Sequence, residues 1–216
     1  MNIMPWRLKN FFSKNTPVLY YLVGSLFSRK NSEFDWDVLL AETWDDVGRT
    51  WPQRLSAIRK LTSPEDKILD VGCGTGSMLR SLKTDGYLHL HGLEHSALAV
   101  ERLSAMGIEM RDGVLPEIAF EDDTFDVVIA SEVMEHILFH KRFLREIVRV
   151  LKPGGEALIY VPNNCLGPID EPTHVRTYTT DSLKSVLSKF GRVKSVEVVH
   201  EAHFAASFLF GHLVKS

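Results

Sequence analysis

At 216 residues, with 44% hydrophobic residues and a formal net charge of −3, the chain has the size and composition of one globular domain plus an appendage. Its bulk electrostatics favour neither nucleic acid nor a membrane, so no nucleic-acid partner is expected. Two cysteines, Cys73 and Cys165, stand far apart in no CxxC pattern, which argues against a disulfide framework or a thiolate zinc site and fits a reducing, cytoplasmic setting.

The charge is unevenly placed. Residues 1–32 hold five cations (Arg7, Lys9, Lys14, Arg29 and Lys30) and no acid, which leaves the remainder with eight more acids than cations. Within this arm the apolar run Pro17–Phe27 is shorter than the roughly 20 residues a bilayer span needs. No A-x-A-like cleavage site follows it. Two readings stand: an interfacial helix that touches anionic lipid, giving peripheral membrane contact, or a helix packed over the rest of the chain or a partner. Residues 33–62 read as helical, with Trp36, Leu39, Leu40, Trp44, Trp51, Leu55, Ile58 and Leu61 as the apolar set. The expected division is therefore a helical arm and cap over 1–62 and an α/β domain over 63–216.

After the turn Ser63–Asp66, strands and helices alternate. Strands are expected at Lys67–Val71, Leu88–Leu93, Ile108–Arg111, Phe125–Ser131 and Glu156–Val161. Helices are expected at Ser77–Lys83, Ser96–Met106 (Ser96 as N-cap), Lys141–Leu151 and Thr180–Phe190. Lys152-Pro-Gly-Gly155 is read as the stop after the third of these helices. Val193–His200 and Phe204–His212 complete the set as a hairpin at the sheet edge. Alternation of this kind implies a doubly wound, seven-stranded, mostly parallel sheet with right-handed crossovers. Ligands of such sheets sit beyond the carboxyl ends of the strands.

The stretch Lys67-Ile-Leu-Asp-Val-Gly-Cys-Gly-Thr-Gly76 carries the most information. An apolar strand runs into glycines at alternate positions, the signature of a tight turn that opens a helix and lets a ligand approach bare backbone. Two cofactor classes use such a turn. The dinucleotide fingerprint G-x-G-x-x-G needs its third glycine where this chain has Ser77; Gly76 comes one place early. Asp70, two residues before Gly72, would repel a pyrophosphate and suit a cofactor carrying positive charge. An NAD(P)-dependent oxidoreductase is the alternative enzyme, and a non-catalytic binding subunit the alternative outside enzymology.

With these residues the sequence resembles the class I S-adenosylmethionine (SAM)-dependent methyltransferases. The resemblance rests on Ile68–Gly76, Gly92-Leu-Glu-His-Ser96, Asp122-Asp-Thr-Phe-Asp-Val-Val128, Glu132-Val-Met-Glu-His136 and Leu151-Lys-Pro-Gly-Gly155, five motifs in the family's order over about residues 66–200. It implies a Rossmann-like methyltransferase fold and SAM as cofactor. It places Asp70 and the loop Gly72, Cys73, Gly74, Thr75 and Gly76 around the methionine portion, with Cys73 as a small spacer. Glu94 would accept hydrogen bonds from both ribose hydroxyls, Asp112 and Gly113 would meet the adenine, and Ser131 would offer a backbone carbonyl to the ammonium. His95 stands where the family usually has an aliphatic residue against the adenine face.

Methyl transfer needs an aligned nucleophile and a proton acceptor. Glu132, Glu135 and His136 stand at i, i+3 and i+4, on one face if a helix starts there. His174 lies in the loop after the fifth strand. Some sugar-, RNA-end- and catechol-directed members of the class resemble this E-x-x-E-H plus His arrangement. One reading is a divalent metal ion held by Glu132, Glu135, His136 and His174 that activates a vicinal diol for O-methylation. The other has these residues brace the loop, with His136 or His174 as base or hydrogen-bonding group. Arg176 is expected to hold a phosphate or carboxylate of the acceptor, or to pair with Asp170 or Glu171, and Tyr178 follows in the same substrate loop. The acceptor is expected to be a small molecule or a glycan.

Overall fold

The computed structural model describes residues 36–45, 51–163, 173–201 and 207–216. The basic arm of residues 1–32 and the loop holding Asp170 and Glu171 lie outside them. Two helices precede the sheet, α1 (Trp36–Thr43) and α2 (Pro52–Leu61). The remaining elements are β1 (Lys67–Val71), α3 (Ser77–Thr84), β2 (His89–Glu94), α4 (Ala97–Ala105), β3 (Glu109–Asp112), β4 (Phe125–Ser131), α5 (His140–Val150), β5 (Leu151–Pro162), α6 (Thr180–Leu187), β6 (Arg192–His200) and β7 (Ser207–Val214).

The seven strands order β3-β2-β1-β4-β5-β7-β6. All pairs from β3 to β5 are parallel, while β7 pairs antiparallel with both β5 and β6. The expected terminal hairpin is present, but only β6 is an edge. β7 returns into the sheet because seven of its eight residues are buried and need cover on both sides. Side chains alternate across the sheet, so Ile68 and Leu69 enter different cores. One core takes Met78, Leu79 and Leu82 of α3, Ala99 and Leu103 of α4, and Leu40, Leu55 and Ile58 of the two preceding helices. The other takes Phe143, Leu144, Ile147 and Val150 of α5 and Leu183, Val186 and Leu187 of α6. Each large aliphatic or aromatic side chain fully buried in this way contributes about 1.5–3 kcal/mol.

Caps place the helices. Ser96 is the N-cap of α4, as expected; its Oγ accepts the Ala99 N–H at 3.2 Å and donates to Asp37 of α1. Thr179 and Ser182 form a capping box at the start of α6. Two expectations are corrected. Lys152-Pro-Gly-Gly155 does not separate helix from strand: α5 ends at Val150, and β5 runs through these residues past a register shift against Phe125/Val127. The segment after β4 is a turn rather than a helix. Glu132 sits at φ 57°, in the left-handed region, so the chain leaves β4 sharply and regular helix begins only at His140.

Candidate active site

The strand order reverses between β1 and β4, where successive connections leave on opposite sides and open a crevice at the carboxyl ends. A cleft of about 330 Å³ occupies that place. One wall is the glycine turn: Gly72 at φ 67° donates its N–H to Leu93 O at 2.7 Å, while Gly76 at φ 66° caps α3 and, unlike its neighbours, does not line the cleft. Gly72, Cys73, Gly74 and Thr75 all line the cleft, as do Glu94, His95, Gly113 and Ser131.

Glu94, at the end of β2, binds the turn directly. Gly74 N–H donates to its Oε2 at 2.8 Å, and His95 and Ser96 N–H donate to its Oε1 at 2.7 and 3.1 Å. Asp70 lies beneath the turn, 1% exposed, and neither carboxylate oxygen has a hydrogen-bond partner. Burial, and then the charge of Glu94, push its carboxyl up to about 8. Asp70 is not among the residues that line the cleft; it lies behind Gly72 and Cys73, which do. Burial, with the charges of Asp70 and Glu94, also pushes the Cys73 thiol well above its ordinary range, which suits a spacer and not a nucleophile. Asp112 is exposed at the end of β3 and does not line the cleft, although its neighbour Gly113 does.

Residues 69–159 match the family model described as a methyltransferase domain. A curated relative, the probable tRNA methyltransferase 9B of Bos taurus, is 34% identical over 120 residues, covering 54% of this chain and 26% of its own. The chain thus spans about a quarter of the length of that relative. Among solved structures, a chain from the complex of the Haloferax volcanii Trm112 methyltransferase activator with its methyltransferase superposes with a TM-score of 0.70 at 17% identity, over 84% of this chain and 98% of that one. A SAM-dependent methyltransferase of Thermotoga maritima gives 0.66 at 22% identity, over 85% and 98%. Residues 69–159 therefore form a methyltransferase domain, and the chain has the fold of the SAM-dependent methyltransferases.

Of the residues expected on the acceptor side, Glu132 and His136 line the cavity, whereas Glu135, His174, Arg176 and Tyr178 do not. Glu135, His136 and His174 nevertheless converge, with ligand atoms all within 4.8 Å of one another. Both Glu135 oxygens and His174 Nδ1 are buried without a hydrogen-bond partner. Burial, and then the charge of Glu132, push the Glu135 carboxyl well up, and burial lowers His174 to about 4. Glu132 is not part of this group; it faces Arg54 at 3.2 Å. Tyr178 is 3% exposed, and its hydroxyl bonds His140 Nδ1 at 2.8 Å, so it braces the α5 entry from within the core. Arg176 Nη2 donates to Leu138 O at 3.2 Å. Other histidines have structural partners: His91 faces Glu109 and His212 faces Glu156.

Three cleft features escaped the sequence reading. Leu40 and Trp51, both in the expected apolar set of the cap, line the cleft itself. Arg54 is completely buried beside it. Its signal was available: Arg54 shares the helical stripe of Trp51, Leu55 and Ile58, where a cation is out of place unless it has buried partners.

Proposed function

We propose that the chain is a SAM-dependent methyltransferase that O-methylates a small molecule or sugar-bearing acceptor with neighbouring hydroxyls. The observation that carries this reading is the unpartnered, buried Asp70 under a glycine turn tied to Glu94. SAM brings an ammonium that would draw Asp70 into its ionised form and ribose hydroxyls for Glu94, whereas a pyrophosphate offers the buried acid no counter-charge. In the reaction the acceptor oxygen attacks the methyl carbon in line, the carbon–sulfur bond breaks, S-adenosylhomocysteine leaves, and the acceptor proton passes to a base. Isothermal calorimetry tests the cofactor: SAM is expected to bind and NADH not to, and the reverse result overturns the proposal.

Glu135, His136 and His174 fit a divalent cation. The set joins a buried carboxylate lacking hydrogen-bond partners to two imidazoles, and His174 at about 4 stays neutral at physiological pH. His136 Nδ1 lies 2.9 Å from Thr173 O, an oxygen that can only accept, so the ring proton sits on Nδ1 and Nε2 carries the lone pair. A metal bound there supplies Lewis-acid activation of an acceptor hydroxyl. A value near 4 also makes His174 a weak base, so its position favours the ligand role; where no metal is bound, Nε2 of His136, in the cleft wall, is the atom that would receive the proton instead. Equilibrium dialysis against Mg²⁺, Mn²⁺ or Zn²⁺ is expected to load the wild type and not His174→Ala. An EDTA-insensitive rate, with no metal retained, removes the metal from the reading.

A second acceptor class is RNA, which the name of the Bos taurus relative, a probable tRNA methyltransferase, favours. Assays with a mononucleoside diol and with a tRNA separate the two. The basic, apolar arm of residues 1–32 suits an acceptor on an anionic membrane surface, or a cover over the cleft for a soluble one.

A further inference from the structure

Arg54 belongs to α2, outside the sheet, yet its side chain is fully buried. The guanidinium lies 3.9 Å from the Trp51 ring centroid, 4.2 Å from that of Phe208 and 5.1 Å from that of Tyr160. Nη1 donates to Ser131 Oγ at 2.5 Å and stands 3.2 Å from Glu132 Oε1. Nε is 3.4 Å from Glu201 Oε1. Glu201, 2% exposed, in turn accepts the N–H groups of Gln53 and Arg54 at 3.2 and 3.1 Å, at the start of α2. One cation therefore joins the cap helix, the end of β4 and both flanks of the β6–β7 connection.

Two observations separate this arrangement from a merely structural ion pair. Of the three non-glycine residues with positive φ among those described, two are Trp51 (49°) and Glu132 (57°), and both contact Arg54. Both also line the cleft. Backbone strain on either side of one buried guanidinium, at two residues that line the cleft, persists only where the surroundings over-determine it. Moreover, buried ion pairs are seldom the cheapest way to fill a core; apolar replacements often match or exceed them. The retention of one cation among three aromatic rings and two carboxylates points to a requirement for what it holds.

We propose that Arg54 is a positioning residue that fixes the Glu132 carboxylate and the Trp51 ring in the wall of the SAM cleft, making the segment before β1 part of the cofactor site. This rests on the SAM reading above. Burial raises the Glu132 carboxyl to about 7 and the adjacent guanidinium opposes that rise, while Trp51 lines the same cleft.

The test is a double-mutant cycle with calorimetry of SAM and of S-adenosylhomocysteine, which lacks the sulfonium charge, on the full chain. Arg54→Met is expected to weaken SAM at least tenfold and to lower the SAM-to-S-adenosylhomocysteine preference at least threefold. In a Glu132→Gln background the same change is expected to cost less than threefold. Arg54→Lys keeps the charge and serves if the methionine variant does not fold; its smaller loss is expected to vanish likewise in the Glu132→Gln background. Equal losses in both backgrounds, or equal losses for the two ligands, overturn the proposal. Amide hydrogen exchange on the ligand-free protein supplies an arm independent of SAM. Faster exchange confined to peptides around 51–55, 131–137 and 207–210 in Arg54→Lys or Arg54→Met supports the interlock; unchanged or uniformly raised exchange overturns it. A wild type that binds no SAM overturns the cofactor reading instead, and the exchange arm then decides the interlock alone.

Discussion

Asp70 shows how a residue fitted for a ligand weakens the empty protein. Its carboxyl rises from an ordinary 3.8 to about 8 on folding, so between those values the folded state holds a proton that the unfolded state has lost. Its contribution to stability is therefore undiminished below pH ~4, falls as pH rises toward about 8, and is lowest above that. Asp70→Asn removes the penalty. At pH 8.5 the ligand-free variant is expected to gain at least ~1 kcal/mol, or ~2–4 °C in Tm, while SAM affinity drops at least tenfold. A variant that melts no higher than wild type and binds SAM normally contradicts the role given to Asp70. Glu94 differs because it already accepts three backbone N–H groups. Glu94→Gln keeps one acceptor oxygen, and is expected to lower SAM affinity at least tenfold with little change in the circular dichroism spectrum; unchanged affinity removes the ribose assignment. Both acids were legible because a short motif fixes their place at strand ends. Arg54 was not, since nothing local to α2 reveals that Glu201, Ser131 and Phe208, each far along the chain, converge on it.

At the scale of elements, the strand-to-helix turn is the part most sensitive to bulk. A Cβ added at Gly76 would stand 2.5 Å from Leu103 Cδ2 on α4, and the residue sits at φ 66°. Crowding of a packed core and a left-handed backbone each cost about 1–3 kcal/mol. Gly76→Ala is expected to destabilise by roughly 2–4 kcal/mol in urea unfolding, and Leu103→Ala in that background to recover part of the loss because the clash is with that side chain. Two losses that simply add would show that α4 does not pack on the turn. The elements with strong periodicity were readable from sequence: β4 matches its expected span, and α5 begins one residue early and ends one residue early. The region that failed, 132–137, depends on the single φ of Glu132, which a glutamate does not advertise. Hence the i, i+3, i+4 face expected of Glu132, Glu135 and His136 never forms, and the turn sends Glu132 to Arg54 while Glu135 and His136 meet His174.

At the scale of the whole molecule, the cleft draws its walls from several separate segments of the described chain that precede β5. Leu40 and Trp51 come from the cap, the glycine turn from β1–α3, Glu94 from β2 and Ser131 from β4. The cap is also sewn into one core, with Leu40, Leu55 and Ile58 packed in the same cluster as Ile68, Leu79 and Leu103. A division of the chain at residues 62 and 63 therefore separates neither a core nor a site, and heating is expected to unfold cap and sheet in one transition. A ligand bound across those walls stabilises the whole unit by RT ln(1 + [L]/Kd), about 2.7 kcal/mol at a hundred times Kd. For a protein of this size that corresponds to an increase of ~5–11 °C in Tm. Differential scanning calorimetry with SAM at that ratio is expected to show one peak moving as a whole by this amount, and NADH at the same concentration to leave it in place. Two peaks, of which SAM moves only the upper, would mean that the cap melts apart from the sheet and contributes no wall to the occupied cleft, since a wall that touches the ligand must share in its stabilisation.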